Sequence, residues 1–232
     1  MTYSVEIMDY WKKHFNKNAE VYPMSFKKQV DMTQNQKEVD EEQVQIRIKS
    51  IIDHLKLSKE DVILDLCCGN GMLTKEISEK VKYVYAIDFS EGLINIAKKY
   101  NRKDNIKYIS EDISLLNFQD FMVNKIVMYS CAQYFSYEGL SSLFSNLAKF
   151  EKVDCYVSNI PDKSKLWEYY DNAEKKEFYY NSLKEGNPHI GNWYYKYEIV
   201  ELAKSNSFSI EVIDIDNKLN VSSYRFDALL HK

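Results

Sequence analysis

The sequence predicts an α/β protein built on a doubly wound, mostly parallel sheet. Three observations predict it. From residue 61 onward, short apolar runs alternate with segments of helical periodicity, as strands do with the crossover helices that join them. The first run, DVILDL, is almost wholly apolar, which suits a strand covered on both faces. The first four runs each end in a polar residue or a glycine turn, and ligands on such sheets bind at the carboxyl ends of the strands.

The elements follow in chain order. Residues 1–60 read as a helical N-terminal cap. A first helix runs from Asp9 to about Tyr22 and stops near Pro23, and the polar stretch MTQNQKEVD after it reads as a loop. Between residues 39 and 57, Val44, Ile48, Ile51, Ile52 and Leu55 recur at three- and four-residue spacing, marking one apolar face of a helix. Residues 61–232 form the core. Its strands are DVILDL, KYVYAIDF, IKYIS, KIVMYS and DCYVSNI, the last closed by Pro161. Helices lie in GMLTKEISEKV, SEGLINIAKKY (with Ser90 placed to cap it) and SYEGLSSLFSNLAKF. Residues 162–198 break the rhythm with a dense set of aromatics and read as a lid or acceptor-binding insertion. After one more helix, SIEVIDID and YRFDALLHK read as an antiparallel strand pair that closes the sheet.

Composition narrows the function. The 232 residues are 45% hydrophobic and 28% charged, with a net charge of −4, values of a globular protein without the basic excess of a general nucleic-acid binder. No apolar run is long enough for a membrane span, and the first residues show no signal-peptide core, so the expected location is cytoplasmic. Cys67, Cys68, Cys131 and Cys155 form neither a disulfide framework nor a C-x-x-C pair, and the four histidines show no ligand spacing. No metal site is expected.

The polar strand ends form a site as a group. Strand one ends at Asp65 and the turn Cys67-Cys68-Gly69-Asn70-Gly71. Strand two ends at Asp88-Phe89, strand three at Glu111-Asp112-Ile113, and strand four at Ser130. Glycines let the backbone approach a ligand closely. Asp88 suits the two hydroxyls of a ribose. Asp112 or Glu111 suits an exocyclic adenine amine, with the Ile113 amide donating to a ring nitrogen. A dinucleotide loop would read G-x-G-x-x-G/A, whereas the third small position here is Thr74. Asp65 beneath the loop favours a cationic ligand over a pyrophosphate. S-adenosylmethionine, with its sulfonium, ammonium, ribose and adenine but no phosphate, has that character.

Asp65-Leu-Cys-Cys-Gly-Asn-Gly71, Ala86-Ile-Asp-Phe-Ser90 and Ser110-Glu-Asp-Ile113, spaced 65 to 88 to 112, resemble the first three motifs of class I S-adenosylmethionine-dependent methyltransferases. Cys67 stands where many members have glycine. The resemblance covers residues 44–160 well and the ends loosely. It implies a Rossmann-like sheet of seven strands with an antiparallel seventh, S-adenosylmethionine as cofactor and S-adenosylhomocysteine as product. The segments Gly191–Trp193 and Tyr224–Asp227 look similar to small-molecule and carbohydrate O-methyltransferases of bacterial surface-polysaccharide pathways.

The methyl acceptor is therefore expected to be a small molecule. An alcohol nucleophile needs a general base; His189, between turn residues of the lid, is the first candidate. Tyr134, just past strand four, is the second catalytic candidate, with core packing as its alternative. His14 either comes over the pocket from the N-terminal cap or lies on the surface of the cap helix, the second being the preferred reading. Trp193, Tyr194 and Tyr195 either line the acceptor pocket or pack the lid. A non-catalytic adenosyl-ligand binder or interaction module on the same fold is the competing reading; an intact aromatic lid with a polar turn at 187–192 favours the enzyme, and a crowded pocket mouth with no acceptor cavity would favour the binder.

Overall fold

The computed structural model describes residues 2–232, with side chains from residue 8 onward; Met1, the first residue of the expected cap, lies outside the described residues. Seven strands form the main sheet: β1 (Val62–Leu66), β2 (Tyr83–Asp88), β3 (Ile106–Ser110), β4 (Lys125–Tyr129), β5 (Asp154–Pro161), β6 (Ser209–Asp214) and β7 (Arg225–His231). Their spatial order is β3-β2-β1-β4-β5-β7-β6. The first five are parallel, and β7 runs antiparallel to both β5 and β6. This is the expected doubly wound sheet with its last strand reversed. The order turns back between β1 and β4, which opens a crevice above their carboxyl ends.

Alternation along the strands divides the core into two layers. Ile63, Val84, Ala86 and Val127 pack with Ile51 and Leu55 of α2 (Glu41–Leu55), Ile77 of α3 (Met72–Ser78) and Ile94 of α4 (Glu91–Tyr100). Leu64, Leu66, Ile126 and Met128 pack on the other side with Leu140 and Phe144 of α5 (Tyr137–Leu147) and with Ile199 and Leu202, which belong to a later helix, Lys196–Ser205. Side chains that start these helices also cap them: Asp40 accepts from Gln43 N, Ser90 from Leu93 N, and Ser136 from Gly139 N. Each satisfies one amide that the helix itself leaves without a partner.

The N-terminal helix α1 (Thr2–Val21) is longer than the Asp9–Tyr22 segment expected from pattern. Trp11, Phe15 and Ala19 pack on Leu93, and Asn16 Oδ1 accepts from Ser90 Oγ at 2.9 Å and Gly92 N at 3.0 Å. The helix is thereby docked on the start of α4. The polar stretch expected to be a loop contains a two-stranded hairpin, Thr33–Gln34 against Lys37–Glu38. Asn35 and Gln36 turn it with φ of 50° and 63°, the left-handed pair that tight hairpins use.

One irregularity shapes the crevice. The pairing of β5 with β7 shifts register between Val157 and Ile160, and Asn159 in the shift has φ 67°. Such a bulge re-aims side chains at a strand end. Here it turns Asn159 into the crevice wall.

Candidate active site

The crevice holds a cavity of about 610 Å³, within the usual range of small-molecule sites. Of the residues expected from sequence, Asp65, Cys67, Gly69, Asn70, Asp88, Phe89, Asp112, Ile113, Ser130, Tyr134 and His189 all line it. Two expected binding residues do not. Glu111 is exposed and accepts from the Asp112 amide at 3.1 Å, so Asp112 is the acid that β3 presents to the cavity. Gly71 stands behind the loop; its φ is 75°, and a Cβ there would lie 2.4 Å from the Tyr108 hydroxyl. Its left-handed backbone lets the turn pass over that ring.

The loop after β1 is fixed from several directions. Asp88 Oδ2 accepts from Gly69 N and Oδ1 from Ser90 N, both at 2.9 Å. Thr74 Oγ1 donates to Asp65 Oδ2 at 2.6 Å, which explains a hydroxyl residue at the third small position. Asn70 Nδ2 donates to Phe26 O and Gln29 Oε1, tying the loop to the cap. Cys67 has φ 62°, a left-handed conformation that glycine adopts without the steric cost a side chain brings. That is the physical reason glycine suits this position.

Burial shapes the charge of the site. Desolvation pushes Asp65 up to about 7, against the lowering bond from Thr74 and with help from Asp88. It pushes Asp88 up to about 6, opposed by the Ser90 and Gly69 amides. Neither carboxylate has an ion-pair partner among the described residues. A cationic ligand rich in hydroxyls and amines meets these groups' unmet demand. At the β3 end, Asp112 Oδ1 accepts from Ser114 N and Oγ, while Ile113 and Phe89 supply apolar wall. The residue set therefore fits S-adenosylmethionine along β3, β2 and β1.

The expectation for the cysteines is corrected, and the aromatics take the packing alternative. The structure joins Cys67 to Cys131 in a disulfide with Cα atoms 6.1 Å apart, although 64 residues separate them. They meet because β1 and β4 are neighbours and both residues follow a strand end. Cys68 and Cys155 are free, and no metal-ligand cluster exists among the described residues. Trp193, Tyr194 and Tyr195 do not line the cavity. Trp193 packs with Leu166 and Tyr170, while the Tyr194 amide donates to Pro161 O and its hydroxyl to Phe135 O. Tyr134 packs against Trp11 and Phe15 at ring distances of 4.6 and 5.5 Å, and burial pushes its hydroxyl far above the usual range. It packs as part of the cavity wall.

The structure adds residues that pattern reading missed. Arg47, 4% exposed, points from α2 to Tyr129 OH, Gln43 O and Asn220 Oδ1. Arg225 at the start of β7 donates to Asn159 O. Tyr169, Phe178 and Tyr224 form the aromatic side of the cavity. His14 Nε2 meets Asp31 Oδ2 at 2.7 Å on the cap side, so this histidine is part of the cavity wall. Arg47 was legible in principle, because a charged residue stood beside Val44, Ile48 and Ile51 on the face expected to be buried.

The lid closes from the far side. A helix, Ala173–Lys184, leads to the turn 187–192. Asn187 Oδ1 accepts from Tyr10 OH of α1, and His189 Nδ1 lies 3.1 Å from Tyr170 OH. His189 is exposed at the mouth, and partial burial lowers its pKa, keeping the imidazole neutral near pH 7. Gly191 has φ 99°, and a Cβ there would lie 2.4 Å from the backbone oxygen of Gln133. Gly191→Ala is expected to push the lid off the 132–135 turn and cost about 1–3 kcal/mol. Denaturant unfolding of the variant beside wild type measures it; unchanged stability would contradict this account of the turn.

Comparison with known proteins agrees with this geometry. Residues 63–153 match a family model described as "Methyltransferase domain". The chain is 29% identical over 111 residues to ribosomal RNA small subunit methyltransferase A of Mesomycoplasma hyopneumoniae, covering 48% of this chain and 42% of that protein. It is 46% identical over 56 residues to a probable cobalt-precorrin-6B C(15)-methyltransferase (decarboxylating) of Methanocaldococcus jannaschii, covering 24% and 31%. The chain thus spans less than half the length of these curated relatives. Among solved structures, magnesium protoporphyrin IX methyltransferase from Synechocystis PCC 6803 with bound SAH aligns with a TM-score of 0.69 at 14% identity, covering 97% of this chain and 99% of that one. The cyclopropane synthase MmaA2 from Mycobacterium tuberculosis aligns at 0.64 and 12% identity, over 79% and 67%. At those identities the likeness concerns the fold.

Proposed function

We propose that the chain, whose residues 63–153 match a methyltransferase domain, is a class I S-adenosylmethionine-dependent methyltransferase that transfers a methyl group to an oxygen of a small metabolite. The observation that carries this reading is the cavity itself. It begins at the strand ends that suit the cofactor and continues past β4 to Asn159, Arg225 and the aromatic side of the lid. A binder without chemistry has no use for that second half. Candidate acceptors are sugars, nucleotide-linked sugars and phosphorylated metabolites, as in surface-polysaccharide assembly. Among the described residues no helix is long and apolar enough to cross a membrane.

In this reading Asp88 holds the ribose hydroxyls, Asp112 and the Ile113 amide hold adenine, and Asp65 with the Gly69 loop holds the methionine end. The bound cofactor supplies an electrophilic methyl. What the chain supplies is alignment and exclusion of water, effects worth on the order of 7–11 kcal/mol in favourable cases. The cap over Phe89 and Tyr134, residues 1–60, and the lid, residues 162–198, are assigned to that enclosure. His189 is assigned as the base that takes the proton from an acceptor hydroxyl; its neutral imidazole at the mouth supports this.

A labelled-methyl transfer screen against nucleotide-linked sugars, phosphorylated metabolites and small hydroxy acids tests the proposal. Transfer to one of them is expected; binding of S-adenosylhomocysteine with no transfer to any acceptor would favour the non-catalytic reading. With the acceptor found, His189→Ala is expected to lower kcat about 100-fold or more, within the usual worth of a general base. Cofactor affinity should stay at the wild-type value. Unchanged kcat would remove His189 from the chemistry and leave the His14–Asp31 pair to be tested the same way.

A further inference from the structure

Three buried polar atoms at the far end of the cavity have no hydrogen-bond partner: Arg225 Nε, Asn159 Oδ1 and Gln133 Oε1. All three residues line the cavity. Asn159 and Gln133 are 6% and 2% exposed, so water does not freely satisfy their oxygens, and an unmet buried polar group is costly. Arg225 places Nη1 on Asn159 O at 2.6 Å and lies over the Tyr224 ring, with Cζ 5.5 Å from its centroid. Among the described residues no carboxylate forms an ion pair with it. The acid two positions along β7, Asp227, is committed elsewhere, accepting from Tyr156 OH, Ser158 Oγ and Asn159 N.

These groups converge beyond the strand ends that suit the cofactor. The carboxylates Asp112, Asp88 and Asp65 follow β3, β2 and β1, whereas Asn159 and Arg225 belong to β5 and β7, on the other side of β4. A partly buried guanidinium without an anion is unfavourable on its own and becomes favourable when a ligand brings the counter-charge. The two amide oxygens ask for the opposite, an O–H or N–H donor. Tyr169, Phe178 and Tyr224 supply apolar faces between them.

We propose that the methyl acceptor carries a carboxylate or phosphate held by Arg225 and a hydroxyl or amine directed at Asn159 and Gln133. This rests on the methyltransferase reading for the word acceptor, while the anion site itself stands on the geometry alone. In this arrangement Asn159 and Gln133 orient the acceptor through its polar donor, and Arg225 is the residue that selects for an acidic molecule. Neutral analogues of the same shape are excluded by the charge they would leave unpaired.

The test is calorimetric titration of the full chain, saturated with S-adenosylhomocysteine, using 4-hydroxybenzoate, phenyl phosphate and the neutral 4-hydroxybenzamide as probes. At least one anion is expected to bind about tenfold or more tighter than the amide; the stronger of the two identifies carboxylate or phosphate as the preferred group. In Arg225→Gln that preference should vanish, and in Arg225→Lys it should be partly restored, with S-adenosylhomocysteine affinity within about twofold of wild type in both. Equal binding of the anions and the amide to wild type would overturn the proposal, whether or not the variants fold. So would a loss of S-adenosylhomocysteine affinity in Arg225→Lys, which would place the arginine on the cofactor. If wild type fails to bind S-adenosylhomocysteine, the cofactor reading fails, and titration of the same probes without it still decides the anion site.

Discussion

Asp88→Ala is expected to weaken S-adenosylhomocysteine binding by about 100-fold or more in a calorimetric titration. The carboxylate sits at the end of β2, 4% exposed, on the cavity wall. Two hydroxyl bonds to an ionised acceptor are each worth roughly 1.5–3 kcal/mol, and about 1.4 kcal/mol is tenfold in affinity. The alanine also frees Gly69 N and Ser90 N, which loosens the loop that faces the cofactor. Undiminished affinity would remove Asp88 from the site.

The same carboxylates make a pH signature. Folding raises Asp65 from 3.8 to about 7 and Asp88 from 3.8 to about 6. The folded protein therefore holds protons that the unfolded chain gives up between pH 4 and those values. Linkage then requires the contribution of these groups to ligand-free stability to fall as pH rises through that window. A cation and hydroxyl donors favour the ionised forms, so cofactor affinity should rise over the same range. Affinity flat between pH 5 and 8 would contradict the assignment of both acids to the ligand.

Asp227→Ala should have the largest effect on stability, about 3–5 kcal/mol in denaturant unfolding. Asp227 is 3% exposed and accepts from Tyr156 OH, Ser158 Oγ at 2.9 Å and Asn159 N at 2.6 Å. Removing it leaves the Ser158 hydroxyl and the Asn159 amide without partners, each costing roughly 1–3 kcal/mol when buried, while the Tyr156 hydroxyl keeps only Ser50 Oγ at 2.7 Å. It also frees the bulge that aims Asn159, so the change should reach the acceptor end before the cofactor end. A loss below about 1 kcal/mol would mean that water replaces the carboxylate, against the burial on which this account depends.

The sheet and the strand-end acids that line the cavity were legible because both follow from local rules. A parallel strand buried on two faces is a short apolar run, and its carboxyl end is the next polar residue, so Asp65, Asp88 and Asp112 could be read in order. The far end of the cavity was not, because its residues come from α2, β5, β7 and the lid and share no sequence window. Arg225 lies in the alternating segment YRFDALL, where an arginine on a half-buried strand looks like an outward-facing residue. Only the β5–β7 register shift brings it beside Asn159. The lid aromatics showed the converse problem. Trp193 to Tyr195 are three consecutive aromatics, yet Tyr194 is tied to Phe135 and Pro161 and Trp193 packs on Leu166 and Tyr170, while Tyr169, Phe178 and Tyr224, far apart in the chain, line the cavity. The Cys67–Cys131 link was hidden for the same reason: adjacency in the sheet, not in the chain, brings the two together.

The central claim is that the crevice above β1 to β4 binds S-adenosylmethionine as its cofactor. Titration of the full wild-type chain with S-adenosylhomocysteine near neutral pH, beside NADH, tests it most directly. The account predicts saturable one-to-one binding of S-adenosylhomocysteine with a Kd of about 1–100 μM and no saturable heat with NADH. Saturable NADH binding, or no binding of S-adenosylhomocysteine, would contradict it.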